Sequence, residues 1–208
     1  MADYVRDPAE IYRRSFAQVR AETDLAHLPT CLHAMAIRLV HACGMPDIVA
    51  DLAFGGDAAA TGGAALAAGA PVFVDATMVG AGIIRRRLPV GSQVICTLDE
   101  PGVVDIARTI GNTRSAAAVD LWRPRLGGAV IAIGNAPTAL FHLLEILADG
   151  APRPAVILAF PVGFVGAAES KQALIDAADD IPFVTLRGRR GGSALAAAAV
   201  NALGSDPA

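Results

Sequence analysis

Few residues in this chain could do chemistry, and His41 is the first of them. It stands near the end of an amphipathic stretch that runs from about Pro29 to Cys43 and stops at Gly44, a glycine suited to a helix C-terminal cap. At that end of a helix the backbone dipoles favour imidazolium and raise the pKa, which suits a proton donor near neutral pH. The plain alternative is a helix-end histidine satisfied by solvent or backbone. His27, His33 and His142 show no partner in the sequence. Cys43 lies two residues beyond His41, but residues so spaced on a helix do not face each other, which argues against a Cys–His nucleophile. Cys31, Cys43 and Cys96 cannot all pair and form no CxxC, so they read as buried reduced thiols. No cluster has zinc spacing, and no GxSxG elbow appears.

Arginine supplies the positive charge: of 17 basic residues only Lys171 is a lysine. A GC-rich genome produces that bias without any function; the functional alternative is a demand for planar guanidinium forks facing carboxylates or phosphates. A net charge of −3 argues against general nucleic-acid binding. The arginines concentrate at Arg85-Arg86-Arg87 and at Arg187, Arg189 and Arg190, the second group in a glycine-rich loop that leaves an apolar run. Arg114 falls at the start of a helical stretch, where the dipole disfavours a cation; that placement suggests a task. Gly134-Asn135-Ala136-Pro137-Thr138 joins an apolar run to a helical one. Asn135 can cap, Pro137 suits the first turn, and exposed N–H groups there would attract an anion. An ordinary strand–helix turn is the other reading, and Gly163-Phe164-Val165-Gly166 poses the same choice. Neither segment matches GxGxxG or a P-loop, so a nucleotide is poorly supported.

The elements that must position these residues are legible as alternating patterns. Asp7 and Pro8 open a helix over 8–22, with Ile11, Phe16 and Val19 as its apolar stripe. A second helix fits 29–43. Short apolar strands fit 48–54, 71–75, 92–97, 128–133, 154–162 and 182–186. Helices rich in Ala and Leu fit 57–68, 76–84, 101–109, 114–123, 137–148, 167–178 and 192–203. Wholly apolar strands alternating with helices predict a three-layer α/β/α fold with a mostly parallel sheet, Rossmann-like or flavodoxin-like, elaborated by N-terminal helices, in a single domain over 1–208. Such sheets bind ligands beyond the carboxyl ends of their strands, which directs attention to 75–82, 133–137, 163–166 and 187–193. Hydrophobic residues make up 54% of the chain, enough for a core. The longest uncharged stretch, 126–144, is broken by glycines and Pro137, so it does not read as a membrane span. The charged N-terminus lacks a signal-peptide core, which predicts a cytoplasmic protein with no membrane partner.

The ordered motifs resemble the precorrin-8X methylmutase family. They begin at Ile11-Tyr12-Arg13-Arg14-Ser15-Phe16, continue through Val40-His41-Ala42-Cys43-Gly44, Asp75-Ala76-Thr77-Met78-Val79, Val94-Ile95-Cys96-Thr97 and Gly111-Asn112-Thr113-Arg114-Ser115-Ala116-Ala117, and are strongest in AIGNAPTALF at 132–141 and PVGFVGAAESK at 161–171. RGRRGGSA at 187–194 closes the set. The resemblance implies an isomerase of aerobic cobalamin biosynthesis, moving a methyl group from carbon 11 to carbon 12 of precorrin-8X to give hydrogenobyrinate. It implies no metal and no organic cofactor, because the conjugated substrate is its own electron sink. It also implies a homodimer, with transient hand-over of the pigment to neighbouring pathway enzymes as a further expectation. On this resemblance His41 is the general acid. Ser15 and Arg114 lie at the substrate, Ser15 donating a hydrogen bond and Arg114 pairing with a carboxylate arm. Asn135, Gly163 and Arg187, on the strand-end loops, complete the expected substrate contacts. Thr77 stands where Glu is expected, so it receives no role. A cobalt-precorrin-8 methylmutase of the anaerobic pathway and a non-catalytic corrinoid carrier are the alternatives.

Overall fold

The protein was analysed as a computed structural model, which describes residues 4–177 and 181–204. Helix α1 (Pro8–Glu22) starts as expected: the Asp7 side chain accepts from the Ala9 N–H at 3.1 Å, and Pro8 occupies the first turn. Of the expected stripe, Phe16 is buried and Val19 packs on the core, whereas Ile11 is 48% exposed. The helix lies against α2 (Thr30–Cys43), and that contact is too narrow to cover a full stripe. Helix α2 ends at Gly44, whose φ of 70° lets its N–H return to the Val40 carbonyl at 2.7 Å.

Six strands form one sheet: β1 (Leu52–Gly55), β2 (Val72–Val74), β3 (Val94–Cys96), β4 (Val130–Ile133), β5 (Val156–Ala159) and β6 (Phe183–Leu186). Their order is β1-β6-β5-β4-β2-β3, parallel throughout except for β1, which runs antiparallel to β6. Without β1, the order of the parallel strands is that of a flavodoxin-like sheet. Strands β4, β5 and β6 are buried at every position, which is why their sequences run apolar without alternation. The expected strand over 48–54 is replaced in its first part by a 3-10 turn, Pro46–Asp51, before β1 begins. Ile48 and Val49 are buried there; a short apolar run alone does not distinguish a buried turn from a strand.

Helices α3 (Ala58–Ala67), α4 (Thr77–Gly82) and α9 (Ser193–Leu203) join α2 on one face of the sheet. Leu39, Leu66, Leu158, Leu186 and Val200 fill that layer. Helices α6 (Arg114–Asp120), α7 (Pro137–Ala148) and α8 (Ala167–Ala177) cover the other face, with α5 (Val103–Ile110) packed on α6. The last residue of the helix expected over 167–178 lies outside the described residues. Fully buried Trp122 stacks on Phe73 at 5.4 Å and donates to the Thr97 hydroxyl at 2.8 Å. Thr97 in turn donates to the Ala118 carbonyl at 2.8 Å, fixing the end of β3 to α6. The cysteines are free, but Cys31 is exposed and Cys43 and Cys96 are only half-buried, so the expectation of buried thiols fails on burial. Among the described residues, no helix is long and apolar enough to cross a membrane.

Buried Asn201 of α9 holds the link between α4 and the 3-10 turn Arg85–Arg87. Its Oδ1 accepts from the Ile84 N–H at 2.8 Å, and its Nδ2 donates to the Gly82 carbonyl at 3.0 Å. Asn201→Ala leaves both backbone groups without these partners and should cost about 2 kcal/mol, the order expected for buried polar groups left unpaired. Urea denaturation should show a lower midpoint at an unchanged slope.

Candidate active site

Helix α1 brings Tyr12, Ser15 and Phe16 onto His41. Ser15 Oγ lies 2.8 Å from His41 Nδ1. The Phe16 ring stacks on the imidazole at a centroid distance of 4.6 Å, and the Tyr12 ring meets it edge-on at 5.6 Å. Buried Arg38, one turn earlier on α2, places its guanidinium 5.4 Å from the Phe16 ring. Partial burial against these rings pushes the imidazole pKa below 6.5, and the Arg38 charge adds to the shift. The helix dipole was expected to raise it, whereas the shift runs downward, from desolvation and a neighbouring cation. His41 is therefore mostly neutral at pH 7, although part of its surface stays open to solvent. In the neutral form that carries its proton on Nε2, Nδ1 accepts from the Ser15 hydroxyl; in imidazolium, Nδ1–H donates to it. Either way Ser15 fixes the ring and leaves Nε2 as the atom that can exchange a proton. A cavity of about 210 Å³ opens beside this pair, lined also by Val19, Glu22 and Pro46.

The segment after His41 is tied to the loop after β6. Arg190 donates to Asp47 Oδ2 and Asp51 Oδ2, both at 2.5 Å. The Arg190 carbonyl accepts from Lys171 Nζ at 2.6 Å. Lys171 is fully buried on α8, and burial lowers its pKa to about 8. Gly191 fits only because it lacks a side chain: a Cβ there would stand 2.3 Å from the Phe160 carbonyl oxygen. Burial raises the pKa of Cys43, and its thiol points to the Val40 carbonyl at 3.7 Å, away from any nucleophilic role.

At the sheet's carboxyl end, Asp75 leaves β2 and its carboxylate reaches into the turn after β4. Its Oδ1 accepts from the Gly134 N–H at 2.8 Å, and its Oδ2 accepts from Asn135 and Ala136 at 2.9 and 2.7 Å. Burial pushes the Asp75 pKa up, and the three N–H groups pull it back. The N–H groups expected to attract an outside anion are thus already used from within, and only the exposed side chain of Asn135 remains for a ligand. Thr113 Oγ1 meets Thr138 Oγ1 at 2.8 Å, which sets the start of α6 beside that of α7. Arg114 there donates to Asp99 Oδ1 at 2.7 Å and to the Leu98 carbonyl at 3.3 Å. Gly163 N–H reaches the Arg189 carbonyl at 3.3 Å, and Arg187 donates to Gln172 Oε1 at 3.3 Å.

Within one chain the expected site residues therefore form three groups. Ser15 and His41 touch in the α1–α2 corner; Arg114 and Asn135 share the α6–α7 corner; Gly163 and Arg187 lie on the loops after β5 and β6. Sequence reasoning missed Asp75, Arg38 and Lys171. The signal for Asp75 was a lone carboxylate at the exit of an otherwise apolar strand, PVFVD. The remaining histidines do have partners: His27 and His33 meet the Val49 and Leu28 carbonyls, each at 3.1 Å, and His142 bridges Asp120 and Glu145 at 3.0 and 2.9 Å. In proton NMR the Cε1–H signal of His41 should titrate with a midpoint below 6.5; a midpoint above it would mean that the helix dipole dominates.

Comparison with known proteins places this architecture. The precorrin-8X methylmutase family model matches residues 10–205. A precorrin-8X methylmutase of Pseudomonas aeruginosa is 58% identical over 206 residues, 99% of each chain. A cobalt-precorrin-8 methylmutase of Salmonella typhimurium is 38% identical and covers 96% of each. The crystal structure of precorrin-8X methylmutase from Thermus thermophilus superposes with a TM-score of 0.85 at 37% identity, covering 94% of each chain. From these matches along nearly its whole length, the chain belongs to the precorrin-8X methylmutase family.

Proposed function

We propose that this protein is an isomerase of cobalamin biosynthesis that moves a methyl group from carbon 11 to carbon 12 of precorrin-8X, giving hydrogenobyrinate. The observation that carries this reading is the 58% identity, end to end, with a protein of that name. The relative named for the cobalt-containing substrate is less similar, at 38%, which favours the metal-free macrocycle.

In this reading His41 is the general acid. Protonating the conjugated macrocycle eases the methyl shift, and the proton returns to Nε2 afterwards, while Ser15 accepts from Nδ1–H of the charged ring. The free enzyme keeps His41 largely neutral, so the substrate itself has to favour the acid: its carboxylate arms, brought near the imidazole, raise the pKa. Arg114 exchanges Asp99 for one of those arms. The exchange is cheap because the Arg114–Asp99 pair is solvent-exposed, and such pairs contribute only about 0–1 kcal/mol. Arg187 and the Asn135 side chain serve other arms, and Gly163 shapes the loop beside them. These groups lie on different elements of one chain, and a homodimer is the assembly that would close them around one ligand. Exposed Met78, Val90, Phe164 and Val165 supply apolar surface for that contact or for hand-over to a neighbouring enzyme.

Incubation with metal-free precorrin-8X should change the visible spectrum while leaving the mass unchanged; an unchanged spectrum would remove the assignment. His41→Ala should lower turnover at least about a hundredfold, the usual contribution of a general acid, and leave pigment binding nearly intact. In the wild type, kcat/KM should fall as pH rises through the free-enzyme pKa below 6.5, and the fall in kcat should come at higher pH because bound carboxylates stabilise imidazolium. Sedimentation at low micromolar concentration should give about twice 21.2 kDa; a monomer with full turnover would rule out the shared site.

A further inference from the structure

The Arg85–Arg87 turn is a basic feature that the active-site reading leaves unused. Asn201 pins its base, and Arg86 and Arg87 then face Arg13 and Arg20 of α1 across a groove of about 540 Å³. Tyr12 and Phe16 also line it. Arg87 Nη2 donates to the Tyr12 hydroxyl at 3.4 Å, and its guanidinium lies 5.8 Å from the Tyr12 ring. The Arg20 guanidinium lies 6.0 Å from the Phe16 ring. Glu10 forms ion pairs with Arg13 and Arg14 but is outside the lining, and among the described residues no carboxylate lines the groove.

Four guanidiniums thus converge in a chain whose net charge is −3. Arg13 is paired with Glu10, and Arg86 is an exposed member of the four. Planar guanidinium forks match carboxylates bidentately, and the aromatic rings hold two of them in place by cation–π contact. Tyr12 and Phe16 also touch His41, so the wall of the groove is part of the packing around the imidazole.

We propose that this groove is a carboxylate subsite, which takes acidic arms of the tetrapyrrole and so positions the macrocycle relative to the Tyr12–Phe16 wall and His41. The ligand's identity rests on the methylmutase reading; the chemistry recognised, several carboxylates on one molecule, rests on the groove alone. Arg86 is the residue to change, because it is exposed and touches neither Ser15 nor His41.

Equilibrium titration with hydrogenobyrinate should show Arg86→Glu binding at least about tenfold more weakly than wild type, and Arg86→Lys an intermediate loss, since lysine keeps the charge without the fork. The dependence of affinity on salt should also become shallower in Arg86→Glu. In parallel, the tricarboxylate tricarballylate should shift the Nε–Hε NMR signals of Arg86 and Arg87 in the wild-type protein. Binding of hydrogenobyrinate by Arg86→Glu within twofold of wild type would overturn the subsite. A wild-type protein that binds no hydrogenobyrinate yet shows the tricarballylate shifts would remove the methylmutase reading and leave the groove as a carboxylate site. No binding and no shifts would remove both.

Discussion

Three backbone N–H groups at the turn after β4 end on the carboxylate of Asp75, and the layout of the carboxyl end of the sheet depends on that interaction. A parallel sheet of this order has a switch point between β2 and β4, where the chain leaves the two strands toward opposite faces. The first N–H groups of the following helix point there without partners and invite an anion. Asp75, leaving β2, supplies the negative charge from inside the fold. Its carboxylate fixes the entry to α7, hence Thr138, hence the start of α6 through Thr113, and so where Arg114 stands. Unpairing those donors would cost about 1–3 kcal/mol each, so the turn has little freedom. The crevice that binds phosphates in other sheets of this order is filled here, and the imidazole that can handle protons sits instead in the corner made by α1 and α2.

That corner shows how opposing electrostatic effects resolve. Carbonyl dipoles at the end of α2 favour a charged His41, but they act in the last turn and are weakened by solvent. Contact with Phe16 and Tyr12 removes water from the ring, and Arg38 brings a like charge. The balance favours the neutral base in the empty protein. In the proposed role of general acid, such a histidine would stay discharged until a polyanion arrives and would protonate little by accident.

Much of the fold was legible because the physics that builds it is local. Asp7 and Pro8 announced the first helix, Gly44 announced the end of the second, and the wholly apolar runs ending at Ile133 and Leu186 announced buried parallel strands. The misreadings were not local. The turn over Pro46–Asp51 is held by Arg190, some 140 positions later in the chain (139 to Asp51), and no periodicity within the turn encodes that. Asp75 and the Gly134–Ala136 turn are about 60 residues apart. His41 and Arg114 stood out from their places at helix ends, while Ser15 and the roles of all three came from family resemblance; the geometry added the 2.8 Å contact of Ser15 with Nδ1, the Asp99 partner of Arg114, and the direction of the His41 pKa shift.

Lys171 has a consequence for the chemistry of the folded surface. It carries the chain's one side-chain amine, and that amine is sealed beneath the loop after β6, bonded to the Arg190 carbonyl. Acylating reagents thus find no lysine on the native exterior, where the basic side chains are guanidiniums that such reagents ignore. The rate at which Lys171 becomes labelled then measures how often the loop lifts away from α8. Burial holds the amine's pKa at about 8 while the loop is closed, and opening removes that desolvation, so labelling follows the population of the open form. The lysine-poor composition, read from sequence as a bias toward guanidinium, gives the folded protein a built-in reporter on the opening of one loop.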